Sequence, residues 1–120
     1  MSRVQQLTYN GKQVFYMDFS GIKSENEIVA LINECKTHIR SKTPKSVYSL
    51  TNIRDMHFSG SIKDHFSDFV KGNKDYIKAS AVIGVDGLKQ IVFNGLMKLT
   101  GRDLRSFNDK ESALEWLVSF

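Results

Sequence analysis

The residues of this chain best suited to chemistry fall in three places. His57 and His65 lie near Asp55, Asp64 and Asp68, and a histidine with an aspartate three positions on, along one helix face, can offer a metal two ligands. Sites of this donor type ordinarily use three protein ligands. No third has suitable spacing, so the cluster reads as a solvated face and no metal is expected. Cys35 and His38 could act as thiolate and base, but Cys35 falls between Ile32 and Ile39 at helical spacing. Burial there raises a thiol's pKa, which predicts a packed core residue. Gly84-Val85-Asp86-Gly87 follows an apolar run and opens a helix, a place where backbone N–H groups can meet an anion. Asp86 would cap those donors itself and repel a phosphate, so a tight turn is expected. A pocket at this end of the sheet would have Asn52, Arg54, Gly84, Asp86 and Phe107 on its rim. The chain has no Gly-x-Ser-x-Gly elbow, phosphate loop or dinucleotide fingerprint. The expectation is a noncatalytic protein without a cofactor.

The elements that must position these residues begin with a hairpin. Val4–Tyr9 and Gln13–Phe19 read as strands around Asn10-Gly11, a pair suited to the positive φ of a tight turn. Ser24 with Glu27 forms a capping box for a helix running to about Ser41, with Ile28, Leu31, Ile32, Cys35 and Ile39 on one face. Thr43-Pro44 closes the connection to a strand at 46–51. Residues 52–60 show no period and read as the longest loop. Ser59 or Ser61 caps a second amphipathic helix bearing Ile62, Phe66, Phe69 and Val70. Residues 77–84, small and branched with little charge, predict a strand covered on both faces. Asp86 caps a third helix that stops at Thr100-Gly101. A short strand at 104–107 and a last helix capped by Asn108 or Asp109 complete the order β-β-α-β-α-β-α-β-α. Such an order predicts one α/β domain over residues 1–120, its mixed sheet opening on a hairpin, parallel through its centre and carrying helices on its faces.

Composition narrows the class of function. At 120 residues, 41% hydrophobic and 25% charged, the chain has the make-up of a globular domain, which excludes disorder and coiled coil. It has one Cys, so no internal disulfide, and no apolar run approaches the roughly 18 residues that span a membrane. Membrane insertion is not expected, and the cytoplasm is the default location. The net charge of +4 gathers between Cys35 and Arg54, where Lys36, Arg40, Lys42, Lys45 and Arg54 stand without a carboxylate. Cations at the end of a helix complement its dipole. Nucleic-acid binding would want a larger excess or interleaved aromatics, so no nucleic-acid partner is expected.

Lys78-Ala79-Ser80-Ala81-Val82-Ile83-Gly84, the helix to Gly101-Arg102, and then Phe107-Asn108-Asp109-Lys110-Glu111-Ser112-Ala113-Leu114-Glu115-Trp116-Leu117 resemble a SpoIIAA-like family of small bacterial proteins. The element order resembles the wider STAS domain, the fold of bacterial anti-sigma-factor antagonists. The closing motif also has a structural sense, since Ala113, Leu114 and Leu117 face the sheet while Glu111 and Glu115 stay wet. The resemblance implies a regulatory domain acting through protein contacts. In antagonists of this type a serine opening the helix after the third strand is phosphorylated, which makes or breaks the contact; here Ser59 and Ser61 correspond. The acidic residue expected before that serine is replaced by Phe58, and the loop is longer.

Phe93 and Met97 sit one turn apart on the third helix, off the stripe of Leu88, Ile91, Val92, Leu96 and Leu99. Either Trp116 or Phe120 of the last helix covers them, or they form an exposed patch for a protein partner or a second copy of the chain in a homodimer. The other reading is a carrier or sensor that binds a small apolar or anionic ligand between the second and third helices and the sheet. An open apolar cavity would favour the ligand, and a filled interior with exposed Phe93 and Met97 the protein contact.

Overall fold

Asn10 and Gly11 both take positive φ, 49° and 80°, as the tight turn between antiparallel strands requires; glycine does so without steric cost. They join β1 (Val4–Tyr9) to β2 (Lys12–Asp18), with Tyr9 opposite Lys12. The structure, a computed structural model, describes residues 3–85, 87, 89–90, 93–94 and 104–119. After the hairpin come α1 (Glu25–Ile39), β3 (Val47–Asn52), α2 (Gly60–Asn73), β4 (Ile77–Ile83), β5 (Leu104–Phe107) and α3 (Lys110–Leu117). Between β4 and β5, Gly87, Lys89, Gln90, Phe93 and Asn94 are helical. This is the α/β order that the sequence predicts, in one five-stranded mixed sheet.

The helices start where side-chain oxygens satisfy the first free N–H groups. Ser24 accepts from the Glu27 N–H at 3.4 Å, Ser59 from Ile62 at 3.2 Å and Asp109 from Ser112 at 2.8 Å. Of the alternatives in the sequence, Ser59 and Asp109 are therefore the caps. Helix α1 ends at Ile39 on an Arg40 C-cap, two residues before the expected Ser41.

The strands lie in chain order, with β1 and β2 antiparallel and each later pair parallel. Parallel neighbours need right-handed crossovers. Every crossover here steps the same way across the sheet, so α1, α2 and Phe93 belong to one core on one face, with Phe15, Met17 and Ile62. On the other face α3 packs Ala113, Leu114 and Leu117 over Val14, Leu50 and Ala81. The aperiodic stretch after β3 is an ordered segment with Ile53 and Met56 buried. Backbone bonds from His57 to Ile22 (2.9 Å) and from Gly21 to Arg54 (2.9 Å) pin it, as does a bond from Lys23 Nζ to the Asp55 carbonyl.

Candidate functional site

Two serines occupy the middle of the sheet on its α1–α2 face. Ser49 of β3 lies opposite Ser80 of β4 in the parallel register, both are buried, and their hydroxyls bond at 2.8 Å. Each is smaller than the Val or Ile usual in a buried parallel strand. Above them α2 presents Phe66 and Phe69, edge-on to one another with ring centroids 6.3 Å apart. Large residues over small ones leave space, and a cavity of about 60 Å³ lies between them. Natural interiors rarely leave voids larger than a water. An engineered cavity of about 150 Å³ accepts benzene, so this one suits a small guest. Thr51, Val82 and Leu104 extend its floor, and Val70 and Asn73 its roof.

Phe58, Lys63, Lys89 and Phe93 complete its lining. Lys63 reaches the surface, with half its side chain exposed, and stands 3.9 Å from Asp64. The Lys89 ammonium donates to the Ile53 carbonyl at 3.0 Å. Among the described residues, the lining contains no carboxylate, imidazole or thiol. It offers apolar contact, a few hydroxyls and two cations, which is the equipment of a binding site. A second hollow of about 170 Å³ beside Gln6, His38, Lys42 and Tyr48 has a mixed polar lining, so emptying it of water gains little.

Phe93 is 8% exposed and packed into the core, which corrects the expectation of an exposed patch. Right-handed crossover places its helix on the α2 side of the sheet, where Phe93 turns into the cavity instead of outward. Met97 lies outside the described residues. The expected rim also moves. Strand alternation turns Asn52 toward the α3 face, where its amide donates to the Tyr16 hydroxyl at 3.2 Å, and Phe107 toward Trp116, ring centroids 5.5 Å apart. The Arg54 guanidinium donates to the Asn108 carbonyl at 2.9 Å, while Gly84, at φ +86°, packs on the Arg54 backbone. These four residues meet at the carboxyl ends of the strands, as expected, but as a closed joint; none of them lines the cavity. Asp86 lies outside the described residues.

Ser59, half-buried at the head of α2, uses its oxygen twice: it accepts from Ile62 and donates to Glu25 Oε1 at 2.9 Å. His57 Nε2 stands 3.8 Å from the same carboxylate. The acidic neighbour missing from the chain next to Ser59 is thus supplied across space by α1. Ser61 is exposed on the first turn, as is His65 on the second. Cys35 is fully buried, and burial first, then Glu34, pushes its thiol up to about 12. His38 stacks on Phe15 at 4.2 Å between ring centroids, away from any role with that thiol.

Sequence reasoning did not single out Ser49, Ser80, Lys63, Lys89 or Glu25. Two serines inside otherwise apolar strands were a signal for the floor; nothing local pairs Glu25 with Ser59, 34 positions apart.

Neither a family model nor a curated protein matches the sequence at a significant level. Among solved structures, an anti-sigma-factor antagonist (STAS) domain protein from Planctomyces limnophilus superposes with a TM-score of 0.63 at 14% identity, over 96% of this chain and 97% of that one. The chain therefore has the STAS fold, in agreement with the resemblance seen in its sequence.

Proposed function

We propose that this chain is a noncatalytic bacterial regulatory domain of the cytoplasm that acts by binding, and that it takes a small, mainly apolar ligand in the cavity between α2 and the sheet. The observation that carries this reading is the position of Phe93, turned into an open apolar cavity rather than out to a partner. Pockets of this kind, apolar with a few placed polar groups, are the usual form of small-molecule sites. The fold supports a regulatory role by likeness alone.

Native mass spectrometry of protein from its own cells tests the proposal. A noncovalent mass that is lost on denaturation, and is absent from the cavity-filling variant Ser80→Leu, is the expected result. Bare monomer mass from the wild type, or equal retention by the variant, overturns it.

A second reading, contact with a protein partner governed by phosphorylation, is favoured by the place of Ser59 at the head of α2 after β3. A phosphate there would bring a dianion against Glu25 and part the starts of α1 and α2. On exposed Ser61 it would displace nothing. Phosphosite mapping of protein from native cells would decide this reading.

A further inference from the structure

Strand β1 stands at one end of the sheet, and among the described residues only β2 pairs with it. The hairpin fixes which backbone groups that pairing uses. In an antiparallel pair alternate residues exchange both bonds with the neighbouring strand, and the residues between them turn their groups to the other side. The Asp18 N–H donates to the Arg3 carbonyl at 2.8 Å, and the two-residue turn makes Tyr9 and Lys12 a bonded pair as well. Arg3, Gln5, Leu7 and Tyr9 therefore bond inward, and the N–H and C=O groups of Gln6 and Thr8 point away from the sheet. Both residues are exposed. Edge strands are ordinarily blunted by a charge, a proline or a bulge. Val4–Tyr9 carries neither charge nor proline, and its register with β2 runs without a shift. Leu7 and Tyr9 lie half-buried on the α3 face of this edge, while α3 itself packs chiefly on β3, β4 and β5.

We propose that this edge pairs with β1 of a second copy of the chain, antiparallel about a twofold axis at Leu7. The strand is complementary to itself in that register. Gln6 of one copy faces Thr8 of the other, so the outward backbone groups exchange bonds on both sides of the axis. Leu7 faces Leu7 between them, at a position where antiparallel strands bring side chains closest. Each Tyr9 stands opposite Gln5 and within diagonal reach of the other copy's Leu7. Apolar side chains thereby meet on the α3 face, and no like charges are opposed. An axis at Gln6 would also pair the outward groups, but it would set Leu7 against Gln5. An unrelated strand would have to match this pattern by its own sequence; a second copy does so by identity. No residue of β1 lines the cavity, so the contact does not depend on a bound ligand.

Sedimentation equilibrium of the full chain tests this. The wild type is expected to approach twice its monomer mass as concentration rises. Thr8→Pro removes an outward N–H and keeps the bonds between β1 and β2. Leu7→Lys opposes two ammoniums across the axis, and serves where the proline disturbs the hairpin. Each should weaken the dimer roughly tenfold or more with the circular dichroism of the fold unchanged. Leu7→Cys, treated with oxidised glutathione, should link two copies, because residue 7 alone meets itself within disulfide distance; Cys35 is buried and takes no part. Gln6→Cys should stay unlinked. Monomer at every concentration, a dimer equally strong in Thr8→Pro and Leu7→Lys, or linkage through Gln6→Cys in place of Leu7→Cys overturns the proposal. A doubled mass is distinct from the small mass that a cavity ligand adds, so this contact and the ligand reading fail separately.

Discussion

Gly84 shows how one residue can be fixed by two separate demands. Its φ of +86° is costly for a residue with a Cβ, and a Cβ there would lie 2.6 Å from the Arg54 Cα. Gly84→Ala should therefore destabilise the fold by about 1–3 kcal/mol, read from the midpoint of urea denaturation at unchanged slope; a loss below ~0.5 kcal/mol would contradict the tight joint between the β3 and β4 ends. The same scale explains two residues that sequence offered as chemistry. Cys35 is held as a neutral thiol by burial. His38 accepts from the Gln6 amide nitrogen at 3.2 Å; an amide nitrogen only donates, so Nε2 is unprotonated. Burial and Lys42 lower its pKa, consistent with that neutral form.

Among the elements, α3 has the simplest basis. It is eight residues long, too short to be stable alone, and it depends on its cap and on the sheet beneath it. The Asp109 carboxylate accepts from the backbone N–H of Ser112 at 2.8 Å and from its hydroxyl at 3.1 Å. The Ser112 N–H is the main cause of its lowered pKa. A carboxyl whose folded pKa is depressed stabilises fully above its unfolded value and loses that contribution as pH falls through the folded one. Asp109→Ala should lower Tm by about 4 °C at neutral pH. Asp109→Asn, an equally good cap, should leave neutral Tm nearly unchanged and remove this part of the acid-side loss. Thermal melts from pH 2 to pH 7 check both, and equal melting of all three proteins at neutral pH would refute the cap's role.

At the scale of the molecule, the sheet separates a core that holds the cavity from one that does not. Leu117→Ala, at the end of α3, should cost about 2–5 kcal/mol of stability and leave unchanged the noncovalent mass that the folded protein retains. Phe69→Ala, in the cavity roof, should cost a similar amount and change that retention. Denaturation and native mass spectrometry together test this, and a parallel loss of the retained mass in both variants would mean that the two faces are coupled. The sequence by itself determined the elements, their order and the α/β class, because turn residues, caps and hydrophobic period act over a few positions: Asn10-Gly11, Ser24 with Glu27, and the run at 77–84 each declare their structure locally. It also offered, as the second of two readings, a ligand between the second and third helices and the sheet. Only the tertiary structure decided which way Phe93 faces, since the handedness of a crossover is a property of strands brought together. Tertiary structure likewise set Ser49 against Ser80, placed Glu25 on Ser59 and closed the joint that the rim residues form. Those relations depend on register and packing between segments far apart in the chain, where neither spacing nor composition carries a signal.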